Sequence, residues 1–179
     1  ARQMVRAYDT EHPWWSSTAE AWWSIVDRAP YIAGGFIWTG FDSRGDPTPH
    51  PNWPSISSHF GVLDTCGFPK DNYWYYRAWW RPREPLVHLL PHWTWPGREG
   101  EPIEVWAHSN CEAVELFVNG RSAGRRKVER NQHVQWSVPY QPGKLRAVGY
   151  VAGRKAAAAG RVTAGAAHAV RLDADRGRI

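Results

Sequence analysis

Apolar and polar positions along the chain follow two grammars, which change over near residue 82. In the first part, Ala19, Trp22, Trp23, Val26 and Ala29 recur at helical spacing, and Pro30 stops the run. Ser17, followed three residues later by Glu20, supplies a capping box to start this helix. Residues 32–38, IAGGFIW, are continuously apolar, the pattern of a strand buried on both faces in a parallel sheet covered by helices. A Pro/Gly-rich stretch of about 20 residues follows, a length that inside a compact domain is more often functional than idle. SHFGVLD (58–64), the turn CGFPKD and a helix NYWYYRAWW capped by Asp71 complete this part. Helix, buried strand, long loop and helix are the grammar of an α/β barrel, whose loops at the strand C-termini build the site.

Beyond RPREP (81–85) the period drops to two. PIEVWAHS, HVQWSV and LRAVGYV alternate, AVELFVNGRSAG carries an Asn-Gly hairpin turn, and PYQPGK and AGRK separate strands as turns. Roughly six or seven short strands with no helical pattern predict an antiparallel sandwich of immunoglobulin type. Trp106 and Trp136 fall inside alternating strands and read as its core. The expected organisation is therefore a barrel-like part over 1–81, a sandwich over 82–164, and the start of a further, truncated β domain over 165–179.

Composition sharpens the contrast between the two parts. Of thirteen tryptophans, eleven fall at or before Trp95, so the aromatic excess belongs to the first part. Residues 1–90 carry eight Lys/Arg against nine Asp/Glu, and residues 91–179 carry fourteen against eight. The densest basic cluster, RSAGRRKVER (121–130), holds no aromatic for base stacking, so it reads as a solvated hairpin and not as a nucleic-acid surface. No apolar stretch approaches the roughly 18 residues of a membrane span, and the start of the chain lacks the apolar core of a signal peptide. The compartment stays open between cytoplasmic and exported. Cys66 and Cys111 sit in no metal-type spacing and read as buried free thiols. His88 and His92 are separated by Pro91, which denies the helix that would align a metal pair, so neither a metal nor another cofactor is expected.

The stretch GGFIWTGFDSRGDP (34–47) is where chemistry concentrates. Its apolar run ends in Trp38, and Asp42, Arg44 and Asp46 stand immediately beyond. An indole at a strand exit caps a barrel interior or offers an apolar plate to a sugar ring, and the strand pattern alone does not choose between them. Asp42 suits either hydrogen bonds from sugar hydroxyls or a salt bridge to Arg44 that pins the loop. Trp53, in the long loop, suits either loop packing or the wall of a leaving-group subsite.

YIAGGFIWTGFDSRGDPTPHPNWPSISSHFGVLDTCGFPKDNYWYYRAWW closely resembles the end of the catalytic barrel in bacterial glycoside hydrolase family 2 enzymes of the β-galactosidase type. PLVHLLPHWTWPGREGEPIEVWAHSNCEAVELFVNGRSAGRRKVERN resembles the immunoglobulin-like domain that follows it. The resemblance implies the C-terminal piece of a (β/α)8 TIM barrel followed by an antiparallel β-sandwich, within a bacterial enzyme that cleaves terminal β-galactosides or oligosaccharides. Such enzymes retain anomeric configuration with two glutamates about 5–5.5 Å apart. By the resemblance, residues 17–29 form the seventh barrel helix and 32–38 the eighth strand, so both glutamates are expected upstream of Ala1 and no catalytic residue is assigned here. The isolated chain is expected to be inactive. The resemblance makes Trp38 a wall of the galactosyl subsite and brings Phe60 to a sugar-contacting position where several relatives carry a polar or basic side chain. Partners implied are the substrate and the remaining domains of the parent enzyme, with a homo-oligomer left open. A non-catalytic carbohydrate-binding or structural module, and a related β-glycosidase such as a β-glucuronidase, are the alternatives.

Overall fold

The computed structural model describes residues 7–12, 14–45 and 57–171, with positions 173 and 176. Two helices, α1 (Ala19–Arg28) and α2 (Asp71–Trp80), precede seven strands: β1 (Val87–Leu90), β2 (Pro102–Ser109), β3 (Ala113–Val118), β4 (Arg121–Lys127), β5 (Val134–Pro139), β6 (Lys144–Val151) and β7 (Arg154–Val162). The strands form two antiparallel sheets, β1-β2-β5 and β4-β3-β6-β7.

Alternation explains the sandwich. Leu89, Ile103, Val105, Ala107, Trp136 and Val138 from one sheet meet Val114, Leu116, Leu145 and Ala147 from the other, all buried. Asn119 and Gly120 close the β3–β4 hairpin with φ of 50° and 82°, the left-handed pair a tight primed turn requires. The Asn119 side chain then takes the Lys144 N–H and donates to the Pro142 carbonyl, tying the turn to the start of β6.

Strand β2 is buried on both faces, which period two alone does not announce. Ile103, Val105 and Ala107 point into the sandwich, whereas Trp106 and His108 point the other way and are equally buried. What covers them is the helical layer. Tyr75 of α2 sets its ring edge-on to His108, Trp106 stacks on His133 of the 131–134 segment, and Tyr8 packs edge-on against Trp106. Trp106 therefore belongs to a second core, between helices and sheet, and Trp136 to the first.

Local signals in the first part are redirected by this packing. The N-cap of α1 is Thr18, whose Oγ1 accepts the Ala21 N–H, and the expected Ser17–Glu20 capping box does not form. Glu20 is instead drawn across to His133, accepting its backbone N–H at 2.7 Å and standing 2.5 Å from its Nδ1. Asp71 likewise does not cap α2: Lys70 is the N-cap residue and makes no side-chain capping bond, and Asp71 lies 2.7 Å from His88 Nε2. Arg130 makes two 2.7 Å bonds to Asp27, and Tyr75 donates to the Asn131 carbonyl. A carboxylate that finds a hydrogen-bonding or cationic partner across the layers gains more than one left at an exposed helix end.

Residues 32–38, expected as a buried strand, form no strand and have no ladder partners among the described residues. Phe36 is fully exposed. A continuous apolar strand is buried only where neighbours pair its edges and layers cover its faces; among the described residues none pairs these edges, and cover is limited to contacts such as Trp22 over Gly35. The architecture is thus mostly antiparallel β, with two helices against one sheet. Cys111 is buried as expected, but Cys66 is exposed, because it sits in a turn closed by Asp64 Oδ1 accepting the Cys66 and Phe68 N–H groups.

Candidate functional site

Beyond Trp38 the chain turns into a paired segment. Residues 39–42 run parallel to 61–63: Val62 N–H donates to the Thr39 carbonyl, Leu63 N–H to Gly40, and Asp42 N–H to Leu63, at 2.9–3.0 Å. Phe41 is the bridge partner of Leu63, an isolated parallel bridge, and Gly61 lies against the Phe41–Asp42 backbone. Arg44 then bridges Ser57 in antiparallel sense, and buried Ser58 accepts the Ser43 N–H through its hydroxyl. These bonds close the base of the long loop. Trp53, expected to line that loop, lies outside the described residues, as does Asp46.

Gly61 makes the pairing geometrically feasible. A Cβ at this position would lie 2.3 Å from the Asp42 nitrogen and 2.5 Å from the Leu63 oxygen, both backbone atoms. Only glycine lets the two segments approach this far.

The Asp42 carboxylate is 7% exposed and has two partners. It accepts the Gly61 N–H at 2.8 Å and takes the Lys70 ammonium at 2.6 and 2.7 Å. Its salt-bridge partner is thus Lys70, 28 residues away, and not the neighbouring Arg44. Lys70 also donates to the His59 carbonyl, so one ammonium ties the 42 and 59–61 segments together. Lys70 carried no local signal in the sequence, whereas Gly61, a glycine inside an apolar run, did.

Trp38 is 82% exposed, and Phe41 beside it is also exposed. Phe60 is half-buried. Trp38 and Phe60 thus each precede one of the two paired stretches that the Asp42 carboxylate clasps, and the structure shows no contact between them among the described residues. No cluster of three or more His, Cys, Asp or Glu side chains able to hold a metal ion occurs among the described residues.

A second polar group lies between the layers. Burial without a partner holds the His108 imidazole well below its usual value, at about 3, with repulsion from His88 and His133 adding to the effect. Burial pushes the Asp9 carboxyl up to about 6 against the opposing hydrogen bond from Ala19 N–H. Asp27, held by Arg130 and Asn131, is drawn down to about 2.

The family described as a domain of unknown function (DUF4982) matches residues 100–157. The chain is 42% identical over 173 residues to beta-galactosidase BoGH2A of Bacteroides ovatus, covering 95% of this chain and 20% of that protein. It is 40% identical over 142 residues to a putative beta-glucuronidase of Formosa agariphila, covering 76% of this chain and 14% of that one. Among solved structures, a beta-glycosidase from Bacteroides vulgatus superposes with a TM-score of 0.86 at 36% identity, over 97% of this chain and 22% of that chain. The chain thus spans no more than about a fifth of the length of the relatives it matches. Sequence and fold agree across nearly its whole length: the chain belongs to glycoside hydrolase family 2, as a segment of a larger member.

Proposed function

We propose that the parent protein is a retaining β-galactosidase-like hydrolase acting on terminal β-galactosides. In this reading the chain supplies the end of the catalytic barrel (1–81), an immunoglobulin-like sandwich (82–164) and the start of a further β domain (165–179). The observation that carries it is the exposed Trp38 indole at the head of a parallel-paired, apolar segment. Parallel pairing that begins just after an apolar run without ladder partners among the described residues fits a barrel strand that takes its neighbours from elsewhere in the parent. One face of galactose is C–H surface, and an indole can carry it while the hydroxyls bond to other groups. Trp38 is the sugar plate, and Phe60 and Trp53 are assigned to the same pocket. Asp42 positions them through its clasp with Lys70 and Gly61. The two carboxylates, about 5–5.5 Å apart, that a retaining enzyme needs come from the remainder of the parent.

A β-glucuronidase is the second reading, favoured by the 40% identity to a relative so named. The test is hydrolysis of an aryl β-galactoside and an aryl β-glucuronide by the parent enzyme, with and without Trp38→Ala. We expect galactoside cleavage, and a fall of about a hundredfold in kcat/KM for the variant, equivalent to about 3 kcal/mol of transition-state stabilisation. Cleavage of the glucuronide alone moves the assignment to the second reading. Unchanged kinetics in the folded variant would show Trp38 to be packing only.

A further inference from the structure

The cavity enclosed by the 7–12 segment, α1, α2 and β2 has a volume of about 40 Å³ and is lined by Asp9, Thr18, Asn72, Tyr75 and His108, among others. Most polar groups on its wall already have partners. Thr18 Oγ1 holds the Ala21 N–H, Glu20 holds His133, and the Tyr75 hydroxyl donates to the Asn131 carbonyl. Asp9 takes the Ala19 N–H and a long 3.5 Å contact from the Asn72 amide.

Two of the lining residues carry atoms that do not. Among the described residues, neither ring nitrogen of buried His108 meets a hydrogen-bond partner, and neither does Asn72 Oδ1. A buried polar atom without a partner costs about 1–3 kcal/mol, so such atoms on His108 and Asn72, two residues that line one cavity, point to a ligand there. A neutral imidazole offers one donor and one acceptor, and an amide oxygen offers acceptors only. A molecule that bridges an imidazole nitrogen to the amide oxygen both donates and accepts within one small volume. Water does this, and the cavity exceeds the roughly 10–15 Å³ one water requires.

We propose that this cavity is a hydrated site, in which ordered water bridges the His108 imidazole to Asn72 Oδ1 and to the Asp9 carboxyl. The bridge links the 7–12 segment, α2 and β2, which share no direct side-chain bond through His108. The imidazole is held neutral, so it keeps the mixed donor and acceptor character that water matches. A metal ion fits the same atoms poorly, since no three metal-ligating side chains gather there among the described residues. An apolar occupant would leave all three atoms unsatisfied.

A crystal structure of the protein at a resolution that shows solvent tests this directly. Solvent density within hydrogen-bonding distance of both His108 and Asn72 Oδ1 is the expected result. A cavity without such density, or one filled by a protein side chain, overturns the proposal. His108→Leu, which keeps volume while deleting the polar atoms, provides an independent measure. If water bridges the site, the variant loses about 4 °C in Tm at pH 7. If the polar atoms are merely stranded, deleting them raises Tm, and that outcome also overturns the proposal. The wild-type density decides the matter even where His108→Leu does not fold.

Discussion

Asp42 and Lys70 form an ion pair in which the carboxylate is 7% exposed and the ammonium 32%. Removing the cation alone strands a nearly buried anion, whereas removing both charges leaves an ordinary polar contact. Lys70→Met is therefore expected to cost about 2 kcal/mol of stability in chemical denaturation. Adding Asp42→Asn to it should recover part of that loss, because the amide oxygen still accepts the Gly61 N–H. If the double variant is less stable than Lys70→Met, the clasp is not electrostatic. Trp38 stands on this clasp through the 39–42 segment, so the same two variants should perturb kcat/KM of the parent enzyme in the same order. At this scale the sequence was readable only in part. Trp38, Asp42 and Phe60 stood out by type and position, but the choice of Lys70 over Arg44 depends on how the 59–70 turn folds back, which no local pattern records.

Among the elements, β2 and the segment around Asp9 set the response to pH. His108 has a folded value of about 3 against 6.5 unfolded, so its contribution to stability is complete above pH 6.5 and is lost as pH falls toward 3. Asp27, drawn down to about 2 from 3.8, behaves in the same sense at lower pH. Asp9 runs the other way: raised to about 6 from 3.8, its contribution is complete below pH 3.8 and lost as pH rises through 6. Asp9→Asn mimics the protonated form and should raise Tm at pH 7.5 while leaving it nearly unchanged at pH 4. Thermal melts at the two pH values measure this, and a loss of Tm at pH 7.5 would show that the carboxylate's bond to Ala19 outweighs its burial. The strands themselves were legible because period two and the Asn119–Gly120 turn are local signals. The second buried face of β2 was not, since its cover comes from Tyr75 and Tyr8, far away in the chain. Residues 32–38 show the same limit in reverse. Their apolar pattern specifies a need for cover, and cover is a property of neighbours.

Over the whole molecule, apolar exposure is unevenly distributed. Of the twelve large apolar side chains exposed among the described residues, nine lie before residue 81, including Trp14, Tyr31, Phe36 and Trp38. Surfaces of this kind associate in water. The 179-residue chain alone is expected to self-associate in sedimentation or scattering measurements and to show no turnover of an aryl β-galactoside. A monodisperse monomer, or retaining hydrolysis abolished by Glu11→Gln or Glu20→Gln, would refute that expectation. The doubly covered strand β2 has a consequence for modular exchange. Transplanting the sandwich into another enzyme by cutting at RPREP would carry away half of a shared wall and leave Trp106 and His108 facing water. A recombination point that respects the packing must keep Tyr8, α1 and α2 with their sandwich. The heritable unit in such shuffling is then the seam, and the proline-rich link that looks like a border lies within it.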